Sequence, residues 1–206
     1  MRPTQRLGRG VAVTSALAAA SAALLLGGRA SAAPPSSPPL TPPPPDGYTC
    51  QATGGGTICH RVMDFSHLAS YDATCPQGFD VLENGANSEI GHRYYDRNGF
   101  LVRRDLHEMF PASNPLNVFY DSITGTSVPY SADFTESDTF ATPGDFDTMS
   151  ATFRGNLYSA KLPGRGLLLH DAGVLAFDPN GDVQADHGPK MLFDGDVAAL
   201  CAALAS

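Results

Sequence analysis

The sequence predicts an all-β domain, an antiparallel sandwich or small barrel, stapled by disulfides and closed by a short C-terminal helix. Three observations carry that expectation. Short β-prone segments recur between clusters of Gly, Pro, Asn and Asp. Four cysteines all follow an export signal, and helical periodicity is confined to the last ten residues.

The export signal comes first in the chain. Arg2, Arg6 and Arg9 precede an uncharged apolar run from Val11 to Leu26, and Ala30-Ser31-Ala32 offers an A-x-A cleavage site. Residues 1–32 therefore read as a signal peptide. The run is Ala-rich and shorter than the roughly 20 apolar residues that span a bilayer comfortably, so an uncleaved anchor is the lesser alternative. Cleavage leaves 9 bases against 21 acids, a net charge of −12. Such a surface repels nucleic acid and anionic lipid; the partners expected are an extracellular macromolecule or cell-wall component, without membrane insertion.

Residues 33–46 read as a Pro-rich linker, since eight of the twelve residues from Pro34 to Pro45 are proline. The expected form is an extended polyproline spacer outside the fold, with service as a Pro-rich ligand for another protein the alternative. The remaining residues, 47–206, suffice for one β-rich domain.

Cys50, Cys59, Cys75 and Cys201 form an even set whose spacings match no zinc pattern, and they read as two disulfides. Three pairings are open to four cysteines. Gly54, Gly55 and Gly56 between the first two suggest a hairpin that brings Cys50 and Cys59 together, which leaves Cys75 for Cys201. Closing that long loop stabilises the fold by about 5 kcal/mol in the chain-entropy account, against nearer 3 kcal/mol for the short one.

A second hairpin spans Ile90 to Phe110 around Asp96-Arg97-Asn98-Gly99. With Asp96 opposite Phe100, Tyr94 pairs with Val102 and Ile90 with Leu106 on an apolar inner face. Arg93, Tyr95, Arg103, Asp105 and His107 fall on the solvated one. Further strands are expected at Leu116–Tyr120, Met149–Leu157, Leu167–Phe177 and Val183–Ala185. Met149, Ala151, Phe153 and Leu157 share one side of the second. Asp196 is placed to cap a helix of about ten residues, in which Val197, Leu200, Cys201 and Leu204 face inward.

Tyr95 to Arg104, the run Ser127-Val128-Pro129-Tyr130-Ser131 and the ending Ala199 to Leu204 resemble a group of small secreted proteins of high-GC actinobacteria. The resemblance implies export and a β-rich fold. It implies no activity and no site residue.

No set of residues demands one reaction. The six histidines form no H-x-H or H-E-x-x-H pair. In the expected register His107 faces Glu89 and His92 faces Arg104 as exposed cross-strand pairs. His170-Asp171 and Asp186-His187 are sequence neighbours, but adjacent strand residues point to opposite faces. No G-x-S-x-G elbow accompanies them. Asp178 to Asp182 reads as a tight turn, since the glycine and final ligand of a calcium loop are misplaced. Asp133 to Asp147 reads as a long acidic loop able to meet a cation. No catalytic, metal-binding or cofactor-binding residue is assigned, and no cofactor is implied. The function expected is a secreted, non-catalytic binding module. The alternatives are a secreted hydrolase whose acid and base converge only in the fold, and a calcium-stabilised extracellular domain.

Overall fold

The computed structural model describes residues 38–206; the expected signal peptide and the start of the Pro-rich segment lie outside the described residues. Among the described residues nine strands follow in chain order: β1 Thr49–Thr53, β2 Gly56–Thr74, β3 Asp80–Tyr95, β4 Leu101–Phe110, β5 Val118–Asp121, β6 Ser127–Phe140, β7 Met149–Leu162, β8 Gly166–Phe177 and β9 Val183–His187. A 3₁₀ turn at Phe146–Thr148 and helix α1, Ala198–Leu204, complete the elements.

All the strand pairs are antiparallel and form one sheet in the order β1-β2-β3-β4-β6-β7-β8-β9. β5 bridges β3 and β6 beyond the end of β4. The sheet is open, with β1 and β9 at its edges, rather than closed into a barrel. It nevertheless curls, because side chains from β2, β3, β6 and β7 meet on one face.

Both disulfides pair as expected. Cys50 and Cys59 stand directly opposite across β1 and β2. Cys75 and Cys201 tie the end of β2 to α1 over a separation of 126 residues. Leu200, Cys201, Ala203 and Leu204 pack against Val81, Phe119, Tyr130 and Leu169 in the main apolar cluster. The helix is shorter than expected, and its cap is Val197 without a side-chain bond, so Asp196 does not cap it.

The largest correction concerns which face of β3 points inward. Asp96 does pair with Phe100, and Asp96 Oδ1 accepts from Asn98 N (2.9 Å) and Phe100 N (2.8 Å). A bulge then shifts the register between Tyr94 and Tyr95, so Tyr94 meets Arg103, Gly91 meets Leu106 and Ile90 meets His107. One residue of slip exchanges the two faces of one strand relative to its partner. Leu106 still faces inward, but on β3 the buried set is Val81, Glu83, Gly85, Asn87, Glu89, Gly91, Arg93 and Tyr95. Ile90 and Tyr94 lie on the outer face, where the Arg103 guanidinium stacks 4.0 Å above the Tyr94 ring.

Other strands fall near their expected places with local departures. A bulge between Asn156 and Tyr158 passes the inward position from Leu157 to Tyr158, breaking the single apolar side expected for β7. The acidic loop expected from Asp133 is instead β6 as far as Phe140. The Pro-rich segment is not a free spacer throughout. Thr41 bridges Phe100, with Thr41 N donating to Gly99 O (2.8 Å) and Leu101 N to Thr41 O (2.9 Å), and Leu40 packs beside Tyr95 and Leu101. Gly99 permits this docking, since its φ is 85° and a Cβ there would collide with the Pro39 carbonyl.

Candidate functional site

The concave face holds a buried carboxylate at its centre. Glu83, on β3, is 3% exposed. It accepts a hydrogen bond from the Tyr130 hydroxyl on β6 and another from the Tyr158 hydroxyl on β7 (3.1 Å), and His67 Nε2 on β2 lies 3.4 Å away. Burial and the Glu83 charge push both phenols further above their ordinary range, so they remain protonated donors.

Local sequence explains how these groups come together. A β-bulge interrupts the β2–β3 register between His67 and Ser70, and Ala69 there adopts φ 58° while its N–H donates to Asn84 Oδ1 (2.9 Å). A left-handed non-glycine residue is strained, and such strain often accompanies sites whose geometry the fold must impose. Opposite His67 sits Gly85. A Cβ there would stand 2.7 Å from the Tyr130 hydroxyl oxygen and closer still to the imidazole, so glycine makes the room in which both groups reach Glu83.

Beside Glu83 opens a cavity of 340 Å³ to which five strands contribute. Phe65, His67 and Ser70 come from β2, Glu83 from β3, Glu108 and Phe110 from β4, Phe134 from β6 and Tyr158 from β7. Glu108 receives Asn87 Nδ2 (2.9 Å), and burial together with the Glu89 charge raises its pKa. Asp72, farther along β2, is pushed up to about 7, first by burial and then by the Glu83 charge. Its Oδ2 is buried without a hydrogen-bond partner.

On the side of Glu83 away from α1 the concave face becomes a charged belt. Arg61 pairs with Glu89 (2.6 Å). Arg104 joins the fully buried Asp138 and also Glu136 (2.9 Å). Tyr48 lies under the Arg61 and Arg93 guanidinium groups at 4.8 and 5.4 Å.

The histidines singled out in the sequence lie elsewhere. His107 is on the outer face, half-exposed, 2.8 Å from Asp133 rather than facing Glu89. His92 pairs with Asp105 rather than Arg104, and its ring lies 4.9 Å from that of His60. Asp171 is buried and accepts N–H bonds from Leu192 (2.9 Å) and Phe193 (3.4 Å), while the neighbouring His170 is only half-buried. Lys190 Nζ approaches Asp186 at 3.5 Å. Asp178 closes the expected turn by accepting from Asn180 N (2.9 Å) and Asp182 N (3.0 Å). In β6, Glu136 and Asp138 point inward to Arg104 instead of standing in a solvated loop.

Of the residues that do converge, Tyr130 and Tyr158 are visible in the sequence only as tyrosines able to stack on a ligand, and His67, Asp72, Glu83 and Glu108 carry no motif. Their signal was the alternation Glu83, Gly85, Asn87, Glu89, Gly91, Arg93, in which charged residues and glycines share one face of a strand. Among the described residues no group of three or more His, Cys, Asp or Glu is arranged to hold a metal ion, and no helix is long and apolar enough to cross a membrane. Comparison with known proteins finds no match among family models, curated proteins or solved structures.

Proposed function

We propose that this is a secreted, non-catalytic binding module that holds a small organic molecule in the concave cavity around Glu83. In this reading residues 1–32 are a signal peptide removed on export, and the disulfides form in an oxidising compartment. One observation carries the proposal. Five strands deliver four aromatic rings and two carboxylates to a single cavity of 340 Å³, inside the range of about 300–1,000 Å³ of small-molecule sites. The test is ligand-observed NMR with a set of small aromatic fragments. Saturation should transfer to several fragments in the natural protein and disappear in Ser70→Trp, which fills the cavity from its exposed rim. Transfer that persists unchanged in Ser70→Trp contradicts the proposal.

A second reading follows from His67, Glu83, two hydroxyls and Asp72 sharing one concave site. A carboxyl poised near neutral pH beside a second carboxylate is suited to general acid–base catalysis. A panel of chromogenic esters and glycosides separates the two readings. Turnover that is lost in Glu83→Gln supports the enzyme, and no turnover by the folded natural protein supports the binder.

A further inference from the structure

We infer that the cavity around Glu83 recognises an organic cation, an ammonium group carried on a small apolar body. This rests on the binding reading above and names its ligand class. Phe65, Phe110, Phe134 and Tyr158 supply apolar wall and ring faces, and Glu83 and Glu108 supply the charge. Phe110 and Phe134 lie nearly parallel, with centroids 6.5 Å apart and planes 9° from one another. Among the described residues no lysine or arginine lines the cavity. Arg104, whose charge is felt at Glu108, is already committed to Glu136 and Asp138.

Each candidate ligand charge meets different physics there. An anion would face two carboxylates with no basic side chain beyond His67 to offset them. A neutral molecule would cover the carboxylates without replacing the water it displaces, which costs free energy. A cation gains on both counts, since ring faces carry negative potential and attract it, most strongly when it is desolvated. Glu83 has capacity for it. A carboxylate offers about four acceptor positions, and the Tyr130 and Tyr158 hydroxyls with the nearby His67 nitrogen fill at most three. The acidic surface raises the local concentration of cations in the same sense.

Isothermal titration calorimetry with three matched probes tests the inference: 2-phenylethylamine, 2-phenylethanol and 3-phenylpropanoate. The amine should bind about tenfold more tightly than the alcohol, and the propanoate most weakly. Glu83→Gln and Glu108→Gln should each remove most of the amine's advantage, both by weakening the amine and by strengthening the alcohol as the cost of covering a carboxylate is lifted. Melting curves establish that the variants fold. If Glu83→Gln does not, the half-buried Glu108→Gln supplies the comparison. Alcohol or propanoate binding as tightly as the amine overturns the cation while the pocket stands. If none of the three binds, the pocket reading falls with it.

Discussion

Toward α1 the concave face is apolar, with Val81, Phe119, Leu169, Leu200 and Leu204 almost fully excluded from water. Toward Tyr48 the face carries Arg61, Glu89, Arg93, Arg104, Glu136 and Asp138. Strands β3 and β6 run through both halves, so the difference lies in which residues alternate inward and not in the architecture. The apolar half gains free energy from burial alone. The charged half is stable only as a matched set, because a desolvated ion without its partner is costly. Glu83 sits at the border, where phenols and a carboxylate can be held dry and still face a cavity.

Separate damage to each half sharpens this contrast. The largest loss is expected from Cys75→Ser with Cys201→Ser, which releases α1 from the apolar half. Urea unfolding should show a decrease of about 5 kcal/mol, with α1 the first element to lose hydrogen-exchange protection. Arg104→Met should cost about 3–5 kcal/mol by stranding Asp138, and adding Asp138→Leu should restore most of it. Equal costs for the single and double variants would show that the belt is not a paired set.

Acidity probes the border. Asp72 is held near 7 against an ordinary 3.8, and burial followed by the Asp138 charge also lifts Glu136 to about 7 from 4.5. The folded protein therefore binds more protons than the unfolded chain between about pH 4 and 7. The contribution of these two sites to stability should be greatest below that window and fall as pH rises through it. Asp72→Asn should recover roughly 1–2 kcal/mol at pH 8 and little at pH 4, allowing for screening of a partly exposed group. The smallest effect is expected of Ala69→Gly, which relieves the left-handed residue of the bulge and should stabilise by about 0.5–1 kcal/mol in a thermal melt.

Most of the strands and the Asp96–Gly99 turn were legible because turn residues act locally, as was Cys50–Cys59, and with four cysteines that pair leaves only Cys75 with Cys201. The inward face of β3 was not. Its alternation offers Leu82, Ile90 and Tyr94 on one side and Val81 and Tyr95 on the other, so hydrophobicity alone favours the wrong side. The partners that hold Glu83 inward, Tyr130 and Tyr158, lie on β6 and β7, distant in sequence. The bulges at Tyr94 and Ser70 also carry no glycine or proline to announce them. The acidic stretch of β6 was hidden for a similar reason, as Glu136 and Asp138 are held inward by Arg104 on another strand.

The most direct measurement is the set of intermolecular nuclear Overhauser effects between 2-phenylethylamine and the isotope-labelled protein. Contacts from the probe's ring protons to Phe134, Phe110 and Tyr158 are the predicted result. Contacts instead to Val62, Ile90 and Tyr94 would place binding on the convex face and contradict the account.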